Sequence, residues 1–178
     1  MTGKNIILRA LEPSDVEILY RWENDHRLWH LSNTSGPFSR YVLGQYLRNA
    51  HQDIFTAKQL RLMIDTGTEA SNARTVGAVD LFDFDPSNRR AGLGILIVDE
   101  EQNKGFGTEA VKLMVEYCFG TLNLHQVYCN ILPDNTTSIR LFEKQGFTVC
   151  GRKREWILIN NRWHDELMLQ LVNPKKAQ

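Results

Sequence analysis

The stretch "EEQNKGFGTEAV", residues 101–112, sets Gly105 and Gly107 at the entrance of a helical pattern. A helix N-terminus leaves its first backbone N–H groups without partners and carries partial positive charge, so it attracts anions. Glycine there lets the main chain approach a bulky phosphate without a Cβ collision. "QNKGFG" therefore reads either as a pyrophosphate cradle or as a tight strand-to-helix turn. Two familiar nucleotide patterns do not fit. GxxxxGK[ST] is absent, and GxGxxG fails because position 110 is Ala. The second chemical feature is a pair of carboxylates, Asp80 and Asp83, in the apolar run "TVGAVDLFDFD" (75–85). A period of two sets Asp80 on one face with Ala78, Phe82 and Phe84. A carboxylate among such neighbours is functional or paired, or else it faces solvent on a half-buried strand. Histidines and cysteines never cluster at ligand spacing, so no metal is expected.

These residues need elements to position them. "NIILRAL" (5–11) predicts a strand, and residues 12–25 a helix with Pro13 in its first turn and Val16, Leu19 and Tyr20 at helical spacing. An irregular loop (26–38) precedes a helix over 39–53, capped by Ser39, with Val42, Tyr46 and Leu47 on one face. Strands follow at 59–66, 75–85 and 91–98, with "GTEASNA" a turn between the first two. The third strand is almost wholly apolar, as a strand buried on both faces would be. A helix over 108–122 repeats Val111, Met114, Val115 and Cys118. A strand at 125–132, a helix over 136–146 ended by Gly146 in a left-handed cap, and a hairpin turning at Asn160-Asn161 complete the chain. The pattern predicts a single mixed α/β (α+β) domain over 1–173 and a polar tail over 174–178.

The 178 residues carry 21 basic and 21 acidic side chains, 42% hydrophobic residues and 24% charged ones. This is an ordinary globular composition, and its zero net charge argues against a nucleic-acid binder with a large basic field. No run of about 18 apolar residues exists to span a membrane, and the N-terminus lacks a signal-peptide core. Scattered Cys118, Cys129 and Cys150 suggest reduced thiols and a cytoplasmic home.

Q-x-x-G-x-G between a short apolar strand and a long helix, "LNLHQVY", "N-x-x-S-I-x-L-F-E-K-Q-G-F" and the "INNRWHDELM" hairpin together resemble the GNAT N-acetyltransferases. The match is to the branch holding spermidine acetyltransferases and ribosomal-protein N-terminal acetyltransferases. The resemblance covers nearly the whole chain, most strongly Gly77 to Val172. It implies a central twisted, mostly antiparallel sheet flanked by helices, with a splayed pair of parallel strands. It implies acetyl-CoA as acyl-donor substrate, an amine acceptor and a possible homo-oligomer. The backbone of Ile95, Leu96 and Ile97 would pair with the pantetheine arm. Gln102, Asn103, Lys104, Gly105, Phe106, Gly107 and Thr108 would surround the pyrophosphate. Asn135 matches the position that bonds the pantetheine side; alone, it is a turn and helix cap.

Acetyl transfer needs a neutral amine, a polarised thioester carbonyl and a proton for the leaving thiolate. By resemblance, Asp80 matches an acidic site position and Ser138 a serine near the thiolate; a first-turn serine is also commonly structural. Two positions depart from the polyamine pattern: Phe142 stands where a tyrosine acts as acid, and Gly92 where a glutamate stands. "HLSNTSGPF" lacks the glutamates of the polyamine enzymes' loop, and "PFS" reads more like the protein-acetylating branch. Trp29, Trp156 and Trp163 offer amine-pocket walls or plain packing. His164 is expected to be structural, and Asp165 is a further polar candidate on the hairpin. The leading expectation is an N-acetyltransferase acting on a polyamine-like primary amine by direct attack, without an acyl-Cys129 intermediate. The alternatives are acetylation of a protein N-terminus and an acyl-CoA-binding domain without catalysis.

Overall fold

The computed structural model describes residues 1–29, 34–67 and 73–174. Part of the 26–38 loop, most of the "GTEASNA" turn and most of the polar tail lie outside them. The strands are β1 Ile6–Arg9, β2 Leu60–Thr66, β3 Arg74–Asp85, β4 Arg90–Ile97, β5 Gln126–Ile131, β6 Thr148–Ile159 and β7 Arg162–Val172. The helices are α1 Val16–Glu23, α2 Arg40–Asn49, α3 Ile54–Ala57, α4 Phe106–Gly120 and α5 Thr136–Glu143. Short 3-10 turns at Pro13–Asp15 and Asp99–Glu101 lead towards α1 and α4. No helix among the described residues is long and apolar enough to cross a membrane.

The strands form one sheet in the order β1-β2-β3-β4-β5-β7-β6, antiparallel except for the parallel pair β4–β5. That pair holds only from Arg90–Gln126 to Gly92–Tyr128, after which the strands diverge. One face packs on α4 and α5 through Val79, Leu81, Leu93, Val111, Met114, Cys118 and Phe142. The opposite face packs on α1 and α2 through Leu19, Leu43, Met63 and Ala78. At the hairpin, Asn160 and Asn161 both take positive φ (49° and 60°), as a two-residue turn between twisted strands requires. Gly146 has φ +90°, the left-handed end expected for α5.

Several expectations need correction. Ser39 caps α2, its hydroxyl accepting from Val42 N–H at 3.2 Å, but the buried face carries Leu43 while Val42 is exposed. Phe84 does not share a face with Asp80. A bulge at Asp83 (φ 49°) reverses the alternation and sends Phe84 into the α4-side core with Val79 and Leu81. The strand expected to be buried on both faces is so only at Ala91–Leu93; from Gly94 to Ile97 it is half-buried, where β5 has left it.

Candidate active site

The helix entrance is shaped by two left-handed residues, Asn103 (φ 61°) and Gly105 (φ 88°), which curl the chain into α4. The helix begins at Phe106, two residues before the expected start. The first α4 amide to find a helical acceptor is that of Glu109, donating to the Gly105 carbonyl at 3.1 Å. The amides of Phe106, Gly107 and Thr108 therefore point out of the helix end without helical partners. Glu109, the acid of that first turn, looks the other way and accepts Asn5 N–H and Nδ2, both at 2.9 Å. Burial alone would raise its carboxyl, but the Asn5 hydrogen bonds outweigh this and lower it. Gly107 is tightly set, since a Cβ there would lie 2.9 Å from Leu141 Cδ1. The glycine thus lets α4 close onto α5 and β4.

These amides open into a cleft of about 530 Å³ between the α4 entrance, β4 and α5. Ile95, Leu96, Ile97, Gln102, Asn103, Gly105, Phe106, Gly107, Thr108, Asn135 and Ser138 all line it. Lys104 does not. Its ammonium pairs with Glu101 Oε2 at 3.1 Å, while Arg74 takes Glu101 Oε1 at 2.5 Å. Glu101 is buried in the cleft wall, so these two cations cancel a charge that would repel an anion. Gln102 braces the loop against the strand, donating to Asp99 Oδ1 (3.0 Å) and the Ile97 carbonyl (3.2 Å).

The divergence of β4 from β5 fixes which main-chain groups face the cleft. Val98 N–H donates to the Val76 carbonyl at 3.0 Å. The two-residue period of an antiparallel ladder then turns Leu96 and Gly94 towards β3, Leu93 towards the last paired rung of β5, and Ile95 and Ile97 towards the opening. Leu96 therefore contributes its side chain rather than its peptide group.

Asn135 and Ser138 are joined: Asn135 Oδ1 accepts the Ser138 backbone N–H at 3.1 Å and caps α5. The capping role and a place in the cleft wall coexist. Phe142 is a core residue, edge-on to Phe147 at 5.0 Å between ring centroids. Gly92 is covered by the Phe82 ring, and a Cβ there would meet it at 2.2 Å.

Asp80 lies outside the cleft wall, on the α1 side of the sheet beside Gly94. Arg61 grips it with two bonds (2.6 and 3.1 Å) and also reaches Glu23 Oε1. Burial alone would lower the Arg61 guanidinium, but Asp80 and Glu23 outweigh it and keep it protonated. The three side chains together carry one net negative charge. A groove of about 570 Å³ on this side, lined among others by Trp22, Asp25 and Glu100, meets the cleft at Leu28, Leu96 and Ile97.

The remaining candidates stand apart. Asp83 accepts the Tyr128 hydroxyl at 3.2 Å. Asp165 pairs with Arg152 at 2.6 Å, and His164 faces Ile157 in the hairpin register. Trp156 and Trp163 are exposed there, while Trp29 donates to the Glu23 carbonyl and packs on His26. Cys129 is buried, and burial pushes its thiol up to about 12, so it holds its proton at neutral pH. No group of three or more potential metal ligands exists among the described residues. Sequence reasoning missed the contribution of α5 to the cleft through Thr137, Arg140, Leu141 and Lys144. The helical spacing of these residues after Asn135 was the available signal.

A sheet split at β4–β5, with a glycine-bearing helix end closing the split, defines the class. A family profile described as an acetyltransferase (GNAT) domain matches residues 5–148, and the chain belongs to that family. It is an acetyl-CoA-dependent N-acetyltransferase with the fold expected from its motifs. It is 31% identical to the probable N-acetyltransferase YjcK of Bacillus subtilis, over 100% of this chain and 99% of that protein. It is 27% identical to a spermidine N(1)-acetyltransferase of Vibrio cholerae, over 97% and 96% of the two chains. The crystal structure of spermidine N-acetyltransferase from Vibrio cholerae in complex with CoA and spermine superposes with a TM-score of 0.83. It is 25% identical and covers 94% of this chain and 95% of that one.

Proposed function

We propose that the chain transfers an acetyl group from acetyl-CoA to a primary amine of a small, polyamine-like molecule. The observation that carries this reading is the continuous run of cleft-facing main-chain donors. The run passes from Ile95 and Ile97 on β4 to the amides of Phe106, Gly107 and Thr108. It suits one long ligand with an amide-bearing arm and a diphosphate. The N–H groups of the splayed strand polarise the thioester carbonyl as charge develops on it. Ser138 donates a proton to the departing thiolate. On the α1 side, the net charge of Glu23, Arg61 and Asp80 favours an ammonium. Asp80, engaged twice by Arg61, orients the amine, and water carries the proton away. The amine attacks directly, consistent with the protonated Cys129 thiol.

The test is steady-state kinetics with acetyl-CoA and a panel of spermidine, diamines, amino sugars and short peptides with free α-amines. Turnover highest on the polyamines is expected. Turnover confined to the peptides selects the second reading, acetylation of a protein N-terminus, which the carboxylate-free segment 30–38 favours. Acetyl-CoA binding without turnover on any amine overturns both readings and leaves a binding domain.

A further inference from the structure

Arg61 stands opposite Asp80 in the β2–β3 register and forks onto both of its carboxylate oxygens, at 2.6 and 3.1 Å. Through Nη1 it also holds Glu23, the last residue of α1. One cation thus answers two carboxylates drawn from separate elements. The other groups around it leave that count unchanged. Tyr46 from α2 is uncharged, since burial pushes its phenol above the ordinary range. β4 presents only Gly94 beside Asp80. The adjoining groove sets Arg21, Arg27 and Arg74 against Asp25, Asp99 and Glu100. Beyond the split, Glu166 on β7 is taken by Lys153 at 2.7 Å. Asp83 lies past the Phe82 ring and is exposed, so water and salt screen it. Among the described residues, the mouth of the split on the α1 side is therefore left with one sheltered negative charge that nothing cancels.

We infer that Arg61 determines acceptor specificity: by cancelling one of two carboxylates it limits the site to recognising a single ammonium besides the reacting amine. This rests on the reading of the chain as an acetyltransferase of small amines and adds which members of that class gain by binding here. The reacting amine is neutral when it attacks, so a monoamine then brings no charge, an α,ω-diamine one and a triamine two. One uncancelled negative charge rewards the first ammonium and does little for the second. Arg61 acts through Asp80 and Glu23, which makes it a positioning residue. Its planar fork spans two oxygens at once, whereas a lysine ammonium supplies the same charge from a single point.

The experiment is steady-state kinetics at saturating acetyl-CoA with butylamine, 1,4-diaminobutane and spermidine. In the wild type kcat/KM should rise about tenfold from monoamine to diamine and change little from diamine to spermidine. Glu23→Gln removes the net charge, and the diamine's advantage should vanish. Arg61→Gln leaves two negative charges, and spermidine should gain about tenfold over the diamine. Arg61→Gln combined with Glu23→Gln restores one charge and with it the wild-type ranking. Arg61→Lys keeps the charge and the ranking but loses the fork, so kcat falls with KM nearly unchanged. A bridge that served folding alone would lower all three acceptors alike. No diamine advantage in the wild type, an unaltered ranking in either single glutamine variant, or a shifted one in the double variant overturns the inference. Should Arg61→Gln fail to fold with two unanswered carboxylates, the other three variants decide. A wild type that turns over none of the three amines removes the small-amine reading itself, which the other outcomes leave standing.

Discussion

Ser138 gives its main-chain N–H, not its hydroxyl, to the Asn135 cap, and this division makes its role separable from folding. Ser138→Ala keeps the capping bond and removes only the proton that the thiolate would take. We expect kcat to fall about 100-fold, the range of a lost general acid, with the KM for acetyl-CoA nearly unchanged. The melting temperature should stay close to that of the wild type. An unchanged kcat would remove the hydroxyl from the reaction. At this scale the sequence displayed the departures well: Phe142 lies in the core and Gly92 under a ring. It did not display the grip of Arg61 on Asp80. That contact joins neighbouring strands across 19 positions of sequence, and no local pattern encodes it.

The register of β3 against β4 explains why position 92 carries no side chain. Phe82 stands opposite Gly92, and its ring fills the place where a Cβ would go, edge-on to Tyr128 at 6.0 Å. Gly92→Glu forces the ring aside and should cost about 1–3 kcal/mol, the range of an overpacked contact. This would be seen as a melting temperature several degrees lower. Adding Phe82→Ala should recover part of that loss, so the two changes are strongly non-additive in a double-mutant cycle. Additive losses would show that the ring is not the obstacle. Most strands and helices were legible from periodicity, and the Asn160-Asn161 turn from its tolerance of positive φ. The faces were less so. One left-handed residue at Asp83 inverts everything after it on β3, and an apolar neighbour at position 43 displaces Val42 from the face of α2. Each is a one-residue phase error that a periodicity argument cannot detect.

Across the whole molecule, acid sensitivity should begin where β1 meets the start of α1. Asp15 is buried beneath Arg9, which holds both carboxylate oxygens (2.7 and 2.8 Å) while spanning to Asp65. Burial alone would push Asp15 up, but Arg9 and the Glu12 N–H outweigh it and hold the carboxyl below the ordinary range. A carboxylate lowered on folding stabilises the native state above its unfolded pKa. That contribution is lost as pH falls through the folded value. The urea midpoint should therefore be level near neutrality and fall below about pH 4. In Asp15→Asn the overall stability drops and the acid slope is shallower; an unaltered slope would assign the transition elsewhere. The brevity of the β4–β5 pairing has a consequence of its own. Three residue pairs form the seam between the β1–β4 half and the β5–β7 half. A pantetheine arm laid beyond Gly92 would supply the missing rungs, extending the seam along the strand. Deuterium uptake at Ile95 and Ile97 should slow markedly when acetyl-CoA is added, while Leu96, already bonded to β3, exchanges slowly throughout. Substrate capture and completion of the sheet would then be a single event, and resistance to heat would climb with coenzyme concentration.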